Sequence, residues 1–303
     1  MNAKQRKQIH LGALLPGVNG RQFEFDSIVH VARSAERGLF DFVLLADPDV
    51  VGGPDTFSVL AALAAVTDRL GLAGPIDTTS REPFELARQF ATLDHLSDGR
   101  AAWNVVTSSA ADRYHRTEEF VVVAREFWDS WSADAVIADR DTGVYVDPDR
   151  IRTVQHRGPQ FDVRGVATLP RAPQGHPVLL QAGDSPAGAT FGATHADVIH
   201  SPYSALQAGK DYYADVKARA ANHGRDPNQL RVFATATPEQ FVGSPAQVAD
   251  EIDLHVQTDA CDGFIMTPPG LDAFVDRVVP LLRQRGSFRT EYAGHMLRDH
   301  LGL

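Results

Sequence analysis

The feature that most constrains the fold is an alternation of short apolar runs with longer amphipathic segments along the whole chain. Short apolar runs are typical of strands in a buried parallel sheet, and the segments between them have the apolar spacing of helices that cover such a sheet. The pattern predicts eight strand–helix pairs, with strands at residues 9–15, 42–45, 70–76, 101–106, 178–182, 198–200, 230–236 and 263–266, and helices at residues 25–37, 57–66, 84–96, 116–130, 186–194, 206–223, 245–257 and 271–285. This alternation implies right-handed crossovers and a parallel sheet.

The number of pairs favours closure of the sheet into a barrel. Eight pairs in a chain of 303 residues match the size of a (β/α)8 TIM barrel. A doubly wound open sheet is the alternative, but the composition shows no break between the pairs. Because no linker is visible, residues 1–303 are predicted to form a single domain. Residues 132–177, rich in Gly, Pro and Asp, are predicted to be a short excursion between the fourth helix and the fifth strand.

Composition and charge exclude several classes of protein. The formal net charge of −10 argues against a nucleic-acid surface, which needs a clustered basic patch. No apolar run approaches the roughly 20 residues that span a bilayer, and no apolar stretch typical of a signal peptide follows the polar first residues. The single cysteine, Cys261, excludes an internal disulfide framework. We therefore expect a cytoplasmic protein with no membrane or nucleic-acid partner.

Polar residues fall where the strands of such a barrel end, which is where its active site lies. Asp47 follows the second predicted strand and Thr78 follows the third. Asn104 lies within the fourth, the apolar run Ala101 to Val106. A buried amide without partners costs about 1–3 kcal/mol, so Asn104 suggests a bound polar ligand. The alternative is an amide satisfied by the neighbouring backbone.

The loop after the fifth strand has the features of an anion site. Ser185 is placed to cap a helix, Pro186 suits the first helical turn, and Gly183 lets the backbone approach a ligand. Free amides and the positive end of the helix dipole then favour a phosphate. The alternative is an ordinary capped helix start.

Tyr114 opens the fourth helix between Arg113 and Arg116, and its hydroxyl and the guanidinium groups suit phosphate recognition. A solvated helix start is the alternative. The histidines lack metal-like spacing, so no metal site is predicted.

Several longer blocks resemble one family. They are residues 93–108 (LDHLSDGRAAWNVVTS), 158–188, 243–252 (GSPAQVADEI), 262–269 (DGFIMTPP), 288–294 (FRTEYAG) and 297–303 (LRDHLGL). On these blocks the chain is identified as a member of the bacterial luciferase-like flavin-dependent monooxygenases, in the subgroup of nitrilotriacetate monooxygenase component A and the dibenzothiophene-sulfone monooxygenases. The resemblance extends from residue 10 to residue 303.

The resemblance implies a fold and a reaction. The fold is a (β/α)8 barrel, and the cofactor is reduced FMN supplied by a separate NAD(P)H-dependent flavin reductase. Such enzymes react the reduced flavin with dioxygen and oxygenate a small organic substrate, while the protein orients the reactants and excludes water. Association through outer helices is common in the family, so a homo-oligomer is expected.

Six positions match the family's flavin contacts. They are, from the ring to the phosphate, Asp47, Asn104, Thr78, Tyr114, Gly183 and Ser185. The resemblance implies that the first two lie by the isoalloxazine ring, the third by the ribityl chain or ring edge, and the last three at the phosphate. No catalytic base is assigned: His10, Phe57 and His200 are plausible by position, and packing is the alternative for each of them.

The chain also departs from the family, whose members are usually much longer. The loop at residues 16–22 lacks the family's histidine-containing stretch, Ala110 stands where a histidine is common, and a long insertion is absent between residues 202 and 230. We expect a wider, wetter pocket that shields a reactive flavin poorly. Two other functions therefore stay open: a deazaflavin-dependent oxidoreductase, and a catalytically reduced barrel that binds flavin or serves as a partner subunit.

Overall fold

A computed structural model describes residues 6–15, 24–46, 54–107, 113–183, 185–202, 204–237 and 240–303. Eight parallel strands close into a barrel, and two further strands pair antiparallel outside it. The strands are β1 His10–Leu15, β2 Phe42–Leu45, β3 Gly71–Asp77, β4 Ala101–Val106, β5 Val154–Arg157, β6 Asp162–Gly165, β7 Val178–Ala182, β8 Val198–Pro202, β9 Arg231–Ala236 and β10 Gly263–Met266. The barrel order is β1-β10-β9-β8-β7-β4-β3-β2, closed where His10 lies opposite Gly263. The predicted TIM barrel is confirmed and the open sheet is wrong.

Helices follow the barrel strands as the sequence predicted, with one correction. They are α1 Phe25–Arg37, α2 Thr56–Ala64, α3 Pro83–Leu96, α4 Arg113–Trp128, α5 Pro186–His195, α6 Leu206–Asn222, α7 Pro245–Gln257, α8 Leu271–Arg277, α9 Val279–Gln284 and α10 Leu297–Leu301. The continuous helix predicted at 271–285 is instead α8 and α9, because Pro280 lacks the N–H that a continuous helix needs. No helix among the described residues is long and apolar enough to cross a membrane.

The short helix α10 seals the amino-terminal end of the barrel. Leu297 and Leu301 are fully buried and pack against the side chains that point into the barrel, which are Phe42, Leu44, Ala73, Ala102, Val178, Leu180, Val198, Phe233 and Ile265. The amide of Leu297 donates to the carbonyl of Gly99, just before β4. A Cβ atom on Gly71, the first residue of β3, would lie 2.6 Å from Leu297 Cδ1. Glycine therefore begins β3 because α10 approaches it closely.

A buried ionic cluster stabilises the amino-terminal end of the barrel. The carboxylate of Asp41 is fully buried and accepts from the backbone N–H of Leu11 at 2.7 Å and from Arg289 at 2.5 Å, with His10 Nδ1 at 3.1 Å. Burial alone raises the pKa of Asp41, but Arg289 and His10 outweigh it and lower that pKa to about 2. His10 is therefore part of the structural base of the barrel.

The predicted excursion is confirmed, and it contains the antiparallel hairpin of β5 and β6. Glu119 on α4 holds this hairpin. Its carboxylate accepts from the backbone N–H groups of Gln160 and Phe161 at 3.0 and 2.8 Å and lies 3.1 Å from His156 Nε2. The hairpin is thus fixed to the outer face of α4, away from the interior of the barrel.

Candidate active site

Asn104 points into the barrel near its carboxyl-terminal mouth. Side chains alternate along a strand, and Ala102, two residues earlier, belongs to the barrel interior. In the sheet Asn104 lies opposite Pro75 on β3 and Leu180 on β7. Trp103, which faces the helices, is fully buried and donates to the carbonyl of Ile76. The half-buried side chain of Asn104 therefore faces the mouth of the barrel.

His200 lies beside Asn104. It follows Val198 on β8 by two residues, so it also points inward, and its backbone lies opposite Ala182 and Phe233. Its Nε2 is 3.4 Å from Asn104 Oδ1. Burial lowers the pKa of His200 to about 4, so the imidazole is neutral at physiological pH. Among the described residues, the hydrogen-bond partner of the Asn104 side chain is thus another side chain and not the backbone that the alternative interpretation required.

The start of α5 brings Tyr114 and Ser185 together. Ser185 caps α5, since its Oγ accepts the backbone N–H of Gly188 at 3.0 Å. The Tyr114 hydroxyl lies 3.5 Å from Ser185 Oγ, and the Tyr114 ring packs on Phe191 of α5 with centroids 5.7 Å apart. A Cβ atom on Gly188 would lie 3.0 Å from the Tyr114 hydroxyl and 3.1 Å from Ser185 Oγ. Glycine at this position therefore leaves room for both hydroxyl groups.

The backbone of Gly183 lies between the pair Asn104–His200 and the pair Tyr114–Ser185. Its N–H donates to the carbonyl of His200 at 2.8 Å, and its carbonyl accepts from the Tyr212 hydroxyl at 3.2 Å. A Cβ atom here would lie 2.2 Å from that hydroxyl and 2.5 Å from Ile199 Cδ1. Glycine is required by packing against β8 and α6, so the free amide expected for a phosphate is not the one at Gly183.

The other predicted positions are placed differently or lie outside the described residues. Thr78 is buried, and its hydroxyl is 2.9 Å from that of Thr117, so it links the end of β3 to α4. Its contact with the ribityl chain stays a prediction. Asp47, predicted by the ring, and Asp184, beside Ser185, lie outside the described residues.

Arg116, in the first turns of α4, faces the hairpin. The guanidinium of Arg116 stacks 4.4 Å from the centroid of the Phe161 ring. The side chain of Arg113 lies outside the described residues. The positive end of the α5 dipole is itself favourable to an anion.

The donor set at α5 fits a phosphate monoester. The hydroxyls of Tyr114 and Ser185 lie at the positive end of a ten-residue helix. Pro186 has no N–H and the N–H of Gly188 is capped, so Ala187 carries the first-turn N–H that no described residue caps. Neutral hydroxyl and amide donors without a nearby described carboxylate suit an anion. The described residues hold no cluster of His, Cys, Asp or Glu that could bind a metal ion.

Comparison with known proteins agrees with the fold. Residues 5–251 match the model of the family described as luciferase-like monooxygenase. The dibenzothiophene-sulfone monooxygenase of Rhodococcus erythropolis is 32% identical over 404 alignment positions, covering 90% of this chain and 89% of that protein. A crystal structure of riboflavin lyase with modified FMN and riboflavin superposes with a TM-score of 0.89 at 25% identity, covering 98% of this chain and 96% of that one.

A further similarity concerns pristinamycin IIA synthase of Streptomyces pristinaespiralis, two of whose subunits match this chain. The shorter synthase subunit is 37% identical over 280 positions, covering 91% of this chain and 88% of that protein. The longer synthase subunit is 30% identical over 427 positions, covering 98% of this chain and 97% of that protein. Because this chain has only 303 residues, more than a hundred positions of the second alignment face gaps in it.

The expected shortening is thus confirmed, and it is internal because the alignment to the longer synthase subunit spans almost all of both chains. All eight barrel strands are nevertheless present. The matched family model covers most of the chain, and the relatives are named monooxygenases. The chain therefore belongs to the luciferase-like monooxygenase family and is a flavin-dependent monooxygenase.

Proposed function

We propose that this chain is the oxygenating component of a two-component system. It takes reduced FMN from a separate NAD(P)H-dependent flavin reductase and uses dioxygen to oxygenate a small organic substrate. The observation that carries the cofactor assignment is the pair of hydroxyls, Tyr114 and Ser185, at the start of α5. A mononucleotide needs such an anion site beside the barrel mouth, and a flavin without a phosphate does not.

Different residues would hold the phosphate and the ring of the cofactor. Tyr114, Ser185 and the N–H of Ala187 would hold the phosphate, and Asn104 with His200 would contact the ring. The neighbouring inward side chains, such as Leu180 and Phe233, are apolar and limit water in the mouth. When bound, reduced flavin supplies the electrons that activate dioxygen. The chain itself binds the tail, orients the ring and excludes water.

Anaerobic titration with reduced FMN, and a parallel titration with oxidised FMN, tests the cofactor. We expect binding at micromolar concentrations, and its absence for both forms would end the flavin proposal. A reductase-coupled assay then tests the reaction, with oxygenated product expected only when dioxygen is present. Turnover without dioxygen would instead support a deazaflavin-type hydride transfer.

The match to the shorter synthase subunit favours a second candidate, in which this chain works beside a longer family member. The alignment of 280 positions covers 91% of this chain, so the two proteins share the shortened form nearly without gaps. This chain would then bind flavin weakly or not at all alone and act with that longer protein. Turnover by the purified chain with reduced FMN excludes this role, and turnover that appears only after a longer family member is added supports it. A homo-oligomer and a cytoplasmic location stay predictions.

A further inference from the structure

The contact between His200 and Asn104 determines which ring nitrogen of His200 carries the proton. Both side chains point inward, one from β8 and one from β4, and they meet across β7 with Nε2 and Oδ1 3.4 Å apart. Among the described residues, Asn104 is the one side-chain hydrogen-bond partner of His200. The Asn104 oxygen can only accept, so the proton of the pair lies on His200 Nε2.

The remaining ring nitrogen is then a bare acceptor. The imidazole is neutral because burial lowers the pKa of His200 to about 4, and a neutral imidazole carries one N–H. With that N–H directed to Asn104, Nδ1 has a lone pair and no partner in the described part of the chain. Phe233, the neighbour on β9, is apolar and offers no donor.

The histidine at the other end of the barrel shows the contrast. His10 lies 3.1 Å from the Asp41 carboxylate, which also accepts from Arg289. That ring belongs to a charged structural cluster. His200 has no carboxylate within ion-pair distance among the described residues, so its acceptor nitrogen is not needed to stabilise a charge.

We propose that His200 is a ligand-contacting residue that makes the barrel mouth prefer reduced over oxidised FMN, with Asn104 as its positioning residue. This inference rests on the proposed function. A reduced isoalloxazine ring carries N–H groups where the oxidised ring has bare nitrogens. A bare Nδ1 acceptor can pair with such an N–H, but it opposes a second lone pair. Asn104 fixes the tautomer and so leaves Nδ1 as the acceptor of the imidazole ring.

Equilibrium binding measures this preference without turnover. The dissociation constants of reduced and oxidised FMN are measured anaerobically for the native chain, His200→Phe and His200→Asn. Phenylalanine keeps a ring but removes the acceptor, whereas asparagine places an amide oxygen near the position of Nδ1. We expect the ratio of oxidised to reduced dissociation constants to fall about tenfold in His200→Phe and to recover in His200→Asn. His30→Asn, at an exposed histidine on α1, is the matched control and leaves the ratio unchanged.

The outcomes separate the two proposals. If neither form of FMN binds the native chain, the proposed function fails and this inference falls with it. If both forms bind and the ratio in His200→Phe stays within twofold of native, the inference alone is overturned. If a variant does not fold, nitrogen NMR of the native chain tests the inference instead. Reduced FMN should shift the Nδ1 resonance of His200 in the direction of an accepted hydrogen bond, and an unmoved resonance overturns the inference.

Discussion

Replacing Tyr114 with phenylalanine should separate recognition of the phosphate from recognition of the flavin ring. The substitution removes one oxygen, 3.5 Å from Ser185 Oγ, and leaves the ring packed on Phe191. A hydrogen bond to a charged group contributes about 1.5–3 kcal/mol. Each 1.4 kcal/mol is a factor of ten, so the dissociation constant of FMN should rise roughly tenfold to a hundredfold. Riboflavin has no phosphate and should bind Tyr114→Phe as it binds the native chain.

Isothermal titration with both flavins provides the comparison. Tyr145→Phe, in the excursion and 65% exposed, is the control for a tyrosine hydroxyl lost elsewhere. The thermal midpoint of Tyr114→Phe should stay close to native, because the buried ring surface is unchanged. Equal weakening of FMN and riboflavin would refute the assignment, since the hydroxyl would then act on the ring or on the fold. An unchanged FMN affinity would remove Tyr114 from the phosphate site.

Three further perturbations test the fold beneath the site. Leu301→Ala should lower the free energy of unfolding by about 2–5 kcal/mol in urea, because it empties space inside the barrel, whereas Leu96→Ala, 63% exposed, should change it little. Because folding lowers the pKa of Asp41 to about 2, the ionised carboxylate stabilises the fold by about 2 kcal/mol above pH 4, and this stabilisation is lost as the pH falls towards 2. Asp41→Asn should therefore flatten the acidic part of the profile of unfolding free energy against pH. Gly183→Ala should lower the free energy of unfolding by about 1–3 kcal/mol, because the added Cβ atom clashes with the Tyr212 hydroxyl. In a double-mutant cycle, Tyr212→Phe should recover part of that loss, and additive effects of the two substitutions would contradict this account.

The sequence predicted the barrel well because each of its strands is a local apolar run. Asn104 was predicted as an inward polar group for the same reason, since a polar residue within such a run is conspicuous. His200 was harder to assign, because the predicted strand 198–200 ended at that residue and gave little alternation to read. Its inward direction follows from Val198, once the strand is known to continue to Pro202.

Features that depend on distant contacts could not be read from local patterns. The helix α10 has five residues, too few for a helical period, and its role in sealing the barrel depends on Gly71 and Gly99. Gly183 was predicted to admit a ligand, yet the atoms that require a glycine there belong to Tyr212 and Ile199. The closeness of Tyr114 and Ser185, 71 residues apart, followed from the family resemblance and not from any spacing.

The arrangement of the site explains how a shortened chain can keep it. Asn104, Ser185 and His200 come from β4, the end of β7 and β8, which are neighbours in the barrel. Parallel pairing fixes their relative heights, since Asn104 lies opposite Leu180 and Leu180 opposite Val198. No long connection sets these distances. Because all eight strands are present, the missing length lies in connecting segments, which in such barrels form the lid and the substrate wall. Under the proposed function, shortening would therefore act on substrate enclosure before it acts on the proposed flavin site, and such a chain would bind flavin while a longer family member closes the mouth.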